Sequence, residues 1–182
     1  MPEASTSSLV VWFARADAAE YRICRRLNLG AAWPVPRRIF QLASRLGDGS
    51  IWYALIIALP CIYGREAFRP AVVMTLTGAL GVAVYKVLKR AFVRERPFIT
   101  HAAIERAMPP LDRYSFPSGH TLHAVSFALQ ASMHFPPLAW VLIPLAVTIA
   151  ASRVVLGLHY PSDVLAGAVL GASFGVLGLS LS

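Results

Sequence analysis

The sequence is poor in charged residues. Only 14% of its 182 residues are Asp, Glu, Lys or Arg, whereas soluble domains average about 25%. Hydrophobic residues make up 57% of the chain and the mean hydropathy is +0.58. The apolar residues stand in long blocks and not in the short alternations of a globular core. This composition excludes an ordinary soluble domain and predicts an all-α, integral-membrane helical bundle.

Acidic residues and cysteines are also scarce. Nine Asp and Glu stand against 17 Lys and Arg, which gives a formal net charge of +8. Such an excess suits nucleic acid, anionic lipid or an anionic substrate, but only lipid phosphate would also account for the hydrophobic blocks. We therefore expect a lipid phosphate substrate and membrane lipids as partners, and no nucleic acid. The pattern indicates no particular oligomeric state. The two cysteines, Cys24 and Cys61, lie in unlike surroundings and predict no disulfide.

Residues 1–48 differ from the rest of the chain. They contain seven arginines, with apolar residues such as Ile39 and Leu42 between them. This pattern is typical of helices that lie on a membrane surface with their arginines toward the headgroups. We predict that residues 1–48 form a basic amphipathic N-terminal segment at the membrane surface and that residues 49–182 form the transmembrane bundle. The alternative for the first segment is an ordinary solvated arm.

Five segments are apolar enough to be membrane helices. The prolines at 136 and 137 divide a stretch of 39 residues without Asp, Glu, Lys or Arg into two of them. The predicted spans are residues 49–64, 70–85, 118–133, 138–156 and 163–182. A partial span within residues 1–48 would make six. Glycines at four-residue spacing in the last span, at positions 167, 171 and 175, predict a close approach of a neighbouring helix.

The order of the spans predicts where the polar residues gather. In an up-and-down bundle, the end of the second span, the start of the third, the end of the fourth and the start of the fifth lie at one face of the membrane. Three polar clusters occur at those ends. The first has five cations between Lys86 and Arg96. The helix dipole explains one or two cations at a helix end, but five in a hydrophobic protein indicate an anion site.

The second cluster is Pro117-Ser118-Gly119-His120. Proline suits the first turn of a helix, and the amides of Ser118 and Gly119 at a helix start would bind an anion with help from the helix dipole. His120 could supply a proton. Alone, the motif is only moderately specific, because Pro-Ser-Gly also forms ordinary turns.

The third cluster contains Ser152, Arg153, His159 and Asp163. His159 and Asp163 are four residues apart, so they share a face if both are helical. A carboxylate on one imidazole nitrogen fixes the tautomer and leaves the other nitrogen free to attack. Ionisable residues inside a membrane segment are costly, and they indicate a functional site.

Together the three clusters resemble the signature of the phosphatidic acid phosphatase type 2 superfamily, which includes bacterial lipid phosphatases and is related to vanadium haloperoxidases. The signature is Lys, six residues, Arg-Pro; then Pro-Ser-Gly-His; then Ser-Arg, five residues, His, three residues, Asp. Every element is present between residues 89 and 163. The resemblance implies a membrane phosphatase that hydrolyses lipid phosphate or diphosphate monoesters, of the phosphatidate, phosphatidylglycerophosphate or polyprenyl phosphate type.

The resemblance also implies roles for the residues of the three clusters. His159 would be the nucleophile that forms a phosphohistidine, Asp163 would hold it, and His120 would be the general acid. The remaining residues would bind the phosphate oxygens: Lys89, Arg96, Ser118, Gly119 and Arg153. The family needs no metal and no other cofactor, and we expect none here. The alternatives are a haloperoxidase-like enzyme that holds vanadate in the same site and, from a different class, a membrane anion carrier.

The distribution of basic residues predicts the orientation. Of the 17 lysines and arginines, only Arg65 and Arg69 fall on the side opposite the polar clusters. The positive-inside rule then places the site at the cytoplasmic face of a bacterial inner membrane. Because Arg15 and Asp17 cut short the first apolar run, the N-terminus is not expected to be a secretory signal. Many bacterial relatives resemble six-span proteins with a periplasmic site, and an extra span in residues 1–48 would reverse the orientation.

Overall fold

The computed structural model describes residues 19–182, and this part of the chain contains helices and no strands. The first 18 residues of the predicted N-terminal segment, including Arg15 and Asp17, lie outside the described range. Helix α1 includes residues 19–28. The other helices are α2 (Pro34–Leu46), α3 (Ser50–Tyr63), α4 (Phe68–Ala91), α5 (Pro97–Thr100), α6 (Gly119–His134), α7 (Ala139–Val155) and α8 (Pro161–Leu181).

All five segments predicted to be membrane helices are helical, and the chain is an all-α, integral-membrane bundle. In the described residues, three stretches are long and apolar enough to cross a membrane: Ser50–Ala91, Pro136–Val155 and Pro161–Leu181. The first of these comprises α3 and α4 with a 3-10 turn between them. Helix α6 has 16 residues, fewer than the roughly 20 of a typical span, and it packs against α4, α7 and α8.

Helices α6 and α8 approach each other more closely than ordinary side chains would permit. A Cβ atom added at Gly167 would lie 2.5 Å from the Ser118 carbonyl oxygen, and one added at Gly171 would lie 2.4 Å from the Leu122 carbonyl oxygen. The close helix approach predicted from the glycine spacing is therefore confirmed. This contact fixes the start of α6, with its Pro-Ser-Gly-His motif, against the start of α8.

The described part of the N-terminal segment packs against the bundle. Helix α2 contacts α7, and the buried Asn28 side chain donates to the carbonyl oxygens of Glu105 and Val155, both at 2.9 Å. The position of this segment at the membrane surface stays a prediction. Cys24 is buried, Cys61 is exposed and no disulfide joins them, as the sequence predicted.

The predicted gathering of helix ends is confirmed. Lys89, near the end of α4, lies 2.8 Å from the carbonyl oxygen of Tyr114 in the loop before α6. The Ser118 amide at the start of α6 donates to the carbonyl oxygen of Asp163 in α8, at 3.0 Å. Between α7 and α8 the chain reverses at Gly157, whose φ of +75° favours glycine. The three polar clusters therefore meet at one end of the bundle.

We expect Gly171→Ala to destabilise the protein, because the added methyl group must displace the backbone of α6. Overpacking of this kind costs about 1–3 kcal/mol, so thermal unfolding in detergent should begin at a lower temperature. Ser173→Thr adds one methyl group on an exposed position of the same helix and is the matched control. An unfolding temperature of Gly171→Ala equal to that of Ser173→Thr would contradict the close contact between α6 and α8.

Candidate active site

A cavity of about 750 Å³ lies where the polar clusters meet. Its basic and imidazole side chains are Lys86, Lys89, Arg90, Arg96, His120, His123, Arg153 and His159. The other part of the cavity lies between α3, α4 and α6 and has apolar walls, formed by residues that include Trp52, Ile56, Ile57, Ala79 and Val82. Along α4 the lining runs from Thr75 to Arg90, about 22 Å at 1.5 Å per residue. The cavity therefore joins a cationic end to an apolar groove, an arrangement that suits an anion with a hydrophobic tail.

Lys89 and Arg96 converge on a single carboxylate. The Oδ1 atom of Asp112 accepts from Lys89 Nζ at 2.8 Å and from Arg96 Nη2 at 2.7 Å. Both cations are buried, whereas the Asp112 side chain is 40% exposed. Two donors that share one carboxylate oxygen are spaced as they would be around a phosphate oxygen.

Arg153 is a fully buried cation whose described contacts include no carboxylate. Its Nη1 donates to the hydroxyl group of Ser44 in α2, and its buried Nε has no hydrogen-bond partner in the described residues. A buried charge is costly unless a counter-charge or several hydrogen bonds compensate for it. Because Arg153 also lines the cavity, an anion held there would supply its counter-charge.

His159 lies in the loop between α7 and α8 and is buried. Its Nε2 is 3.2 Å from Arg96 Nη1, and its Nδ1 is 3.5 Å from the Oδ2 atom of Asp163. Burial lowers the pKa of His159 well below its ordinary value, and the positive charges of Arg96, Arg153 and Lys89 lower it further. The imidazole is therefore neutral at physiological pH. A proton on Nδ1, toward Asp163, leaves the lone pair of Nε2 directed at Arg96.

The Asp163 carboxylate is held by Arg94 and by the backbone at the start of α8. Its Oδ1 accepts from Arg94 Nη1 at 2.7 Å, and its Oδ2 accepts from the Tyr160 amide at 2.8 Å. Arg94 in turn pairs with Glu20 of α1, with Nη2 at 2.8 Å from Oε2. Glu20 also accepts from the amide of Ser162 at 2.6 Å. Glu20 and Arg94 therefore fix the start of α8, and with it the carboxylate beside His159.

The helix start at Ser118 and Gly119 is only partly directed at the cavity. Ser118 is the N-cap of α6, and its hydroxyl group accepts from the Thr121 amide. Its own amide is occupied by the carbonyl oxygen of Asp163. Gly119 lines the cavity, whereas Ser118 is fully buried behind it. Direct binding of phosphate by Ser118 stays a prediction.

His120 contacts a carboxylate that was not predicted from the sequence. Its Nε2 lies 2.5 Å from the Oδ1 atom of Asp48, in the turn between α2 and α3. Both residues line the cavity. The cavity thus contains both histidines of the family-like signature, each beside a different carboxylate.

The structure brings six of the eight predicted site residues to the cavity. The other two, Ser118 and Asp163, do not line it but bond to each other, and Asp163 lies beside His159. Sequence reasoning missed three acidic partners, which are Glu20, Asp48 and Asp112. It placed Arg94 in the first polar cluster but did not predict its contact with Asp163. The chain has only nine acidic residues, and this scarcity was the signal that could have pointed to the acidic partners. In residues 19–182 no group of three His, Cys, Asp or Glu could hold a metal ion, and metal independence stays a prediction.

Curated relatives match most of the chain. A decaprenylphosphoryl-5-phosphoribose phosphatase from Mycobacterium tuberculosis is 33% identical over 135 residues, which cover 74% of this chain and 73% of that protein. An undecaprenyl-diphosphatase from Bacillus subtilis is 29% identical over 126 residues. That match covers 69% of this chain and 65% of the relative, slightly less than two thirds of its length.

Solved structures agree with the fold over almost the whole chain. A transmembrane PAP2-type phosphatidylglycerolphosphate phosphatase from Bacillus subtilis superposes with a TM-score of 0.71 at 25% identity, covering 95% of this chain and 93% of that one. The structure of Aquifex aeolicus LpxE superposes with a TM-score of 0.73 at 25% identity, covering 89% of this chain and 95% of that one. The family model described as "PAP2 superfamily" matches residues 67–182, the range that holds all three polar clusters. The chain belongs to the PAP2 superfamily.

Proposed function

We propose that the protein is a membrane phosphatase that hydrolyses lipid phosphate or diphosphate monoesters through a phosphohistidine at His159. The observation that carries this proposal is the cavity that His159 lines together with Lys89, Arg96 and Arg153, in which Arg96 Nη1 lies 3.2 Å from His159 Nε2. Phosphoryl transfer depends mainly on positioning and on stabilising negative charge. The three cations perform both tasks for a phosphate whose phosphorus faces Nε2.

The reaction has two balanced steps. In the first, the Nε2 lone pair of His159 attacks phosphorus and forms an N–P bond, while the bond from phosphorus to the lipid oxygen breaks. His120 transfers a proton to that leaving oxygen. In the second, water attacks the phosphohistidine, His120 takes a proton from the water, and the N–P bond breaks to release inorganic phosphate. Asp163 stabilises the positive charge that develops on the His159 ring during attack.

The remaining site residues would complete the phosphate site. The Gly119 amide would add a donor at the start of α6, where the helix dipole favours an anion. Ser118 would support it by capping the same helix. Asp112 would leave the cations when a phosphate with two negative charges replaces its single charge. His120 carries the protons and the three cations stabilise the charge in these steps, so we propose that the enzyme needs no metal.

The shape of the cavity supports a lipid as the substrate. The groove between α3, α4 and α6 would hold the hydrophobic tail. Two of its lining residues, Tyr53 and Ile57, are highly exposed, which would let the tail enter from the side of the bundle. The names of two relatives specify polyprenyl substrates. Phosphatidate, phosphatidylglycerophosphate and polyprenyl phosphates are therefore the substrate classes to compare. We place the enzyme in a bacterial inner membrane with its site toward the cytoplasm, because the arginine-rich segment and the site share one face.

His159→Ala should abolish phosphate release from every lipid that the wild-type protein hydrolyses. Loss of the nucleophile is expected to lower the rate by roughly 10³-fold or more. The measurement is inorganic phosphate released in detergent from phosphatidate, phosphatidylglycerophosphate, and polyprenyl mono- and diphosphate, with and without a chelator. His134→Ala is the matched control, because His134 bonds to Ser182 at the other end of the bundle. Full activity of His159→Ala would refute the mechanism, and loss of wild-type activity in chelator would refute metal independence.

Arg94→Met should lower both the stability of the protein and its rate of phosphate release. The substitution leaves the buried Asp163 carboxylate without the guanidinium group that pairs with it. Breaking a buried ion pair costs about 3–5 kcal/mol. Arg37→Met is the matched control, because the Arg37–Glu105 pair is exposed and such pairs contribute about 1 kcal/mol or less. The measurement is thermal unfolding in detergent. Equal losses of stability in the two variants would contradict the role assigned to Arg94.

A cysteine introduced at the exposed Ala103, in a protein with Cys24 and Cys61 replaced, should react with an impermeant maleimide only from the cytoplasmic side. Ala103 lies in the loop between α5 and α6, on the same face as the site. A cysteine in place of Glu66, at the opposite end of α3, should react only from the other side. Labelling of the Ala103 position from outside would place the active site at the periplasmic face.

A further inference from the structure

The Asp48 carboxylate has one described polar partner, and that partner is His120. The Oδ1 atom of Asp48 lies 2.5 Å from His120 Nε2. Asp48 is the more exposed of the two, with 32% of its side chain accessible against 10% for His120. In the described residues Asp48 makes no ion pair with a lysine or an arginine. Its position is therefore not explained by a structural salt bridge.

Two glycines bring Asp48 to the imidazole. A Cβ atom added at Gly47 would lie 3.0 Å from the Cδ2 atom of His120 and 2.9 Å from Ile149. Gly49 has a φ of +123°, which side chains other than that of glycine rarely adopt. The first glycine lets the backbone of the turn approach His120, and the second turns the chain into α3. The turn is thus shaped around the histidine that it contacts.

The other groups that face His120 are basic. Arg153 faces it from α7 and His123 from the next turn of α6, and Asp48 is the carboxylate that faces it in the described part of the chain. A general acid must carry its proton on the nitrogen that faces the leaving group. Cations alone would favour the unprotonated ring, whereas a carboxylate in hydrogen-bond contact orients the ring and stabilises its protonated form.

We propose that Asp48 is the positioning residue of the general acid. It accepts a hydrogen bond from Nε2 of His120, which orients the ring and leaves Nδ1 as the nitrogen that carries the catalytic proton in the protonated ring. During cleavage the Nδ1 proton goes to the lipid oxygen as the bond from phosphorus to oxygen breaks, and the ring becomes neutral with its Nε2 proton still bonded to Asp48. The proton that Nδ1 takes from water in the second step restores the protonated ring. Asp48 itself neither gains nor loses a proton. This inference rests on the role of His120 in the proposed function.

A positioning role and a structural role differ in how the loss of activity in an Asp48 variant depends on the leaving group. An alkyl phosphate releases a strongly basic alkoxide, which needs protonation. 4-Nitrophenyl phosphate releases a stable phenolate, which does not. General-acid catalysis contributes about 10²–10⁴-fold. We expect Asp48→Asn to lower kcat/KM at least about tenfold for dodecyl phosphate and less than about threefold for 4-nitrophenyl phosphate. The ratio of the two values in one preparation is independent of the fraction of protein that is folded.

A double-mutant cycle provides the second readout. If Asp48 acts through His120, then Asp48→Asn should cause no further loss in a His120→Asn background. Glu66→Gln is the control, because Glu66 is an acidic residue at the other end of α3. This variant should leave kcat/KM unchanged for both substrates. Equal losses with both substrates, or additive losses in the cycle, would overturn the inference while leaving the proposed function intact. Absence of phosphate release by the wild-type protein, or full activity of His159→Ala, would instead overturn the proposed function.

Discussion

Buried positive charge at one end of the bundle is the constraint on which the rest of the structure depends. Moving an ion out of water costs several kcal/mol, even after the surroundings relax, so each cation needs a partner. Asp112 pairs with both Lys89 and Arg96, and Asp163 pairs with Arg94, at distances of 2.7–2.8 Å. Arg153 has no carboxylate partner in the described residues. Arg153 lines the cavity, so an anion held there would supply its counter-charge.

The same charges give the two histidines different surroundings. His159 is buried among cations, with Asp163 at 3.5 Å, and its imidazole is neutral. His120 has Asp48 at 2.5 Å, and 10% of its side chain is accessible. Pairs of titratable groups in contrasting environments are typical of acid and nucleophile assignments. The roles proposed for the two histidines follow this contrast.

Much of the molecule could be predicted from its sequence. Long uncharged segments determine where membrane helices form, because every backbone polar group must be paired within the segment. Helix order determines which ends meet, and the spacing of Gly167 and Gly171 determines how closely α8 can pack. The three signature clusters lie at those ends and so predicted where the site is. The contacts of residues 19–46 were harder to predict, because Asn28 and Ser44 bond to partners that no local pattern indicates.

By itself, therefore, the sequence determined the helical membrane bundle, its polar end and the cluster to which His159 belongs, because periodicity, hydropathy and short motifs are local properties. Only the tertiary structure decided how that cluster is held together. Asp48 lies 72 residues from His120, and Glu20 lies 142 residues from Ser162. Such contacts depend on how whole helices pack, not on local spacing. The cations and Asp163 could therefore be predicted from the sequence, whereas the contacts of Glu20, Asp48 and Asp112 appeared only in the fold.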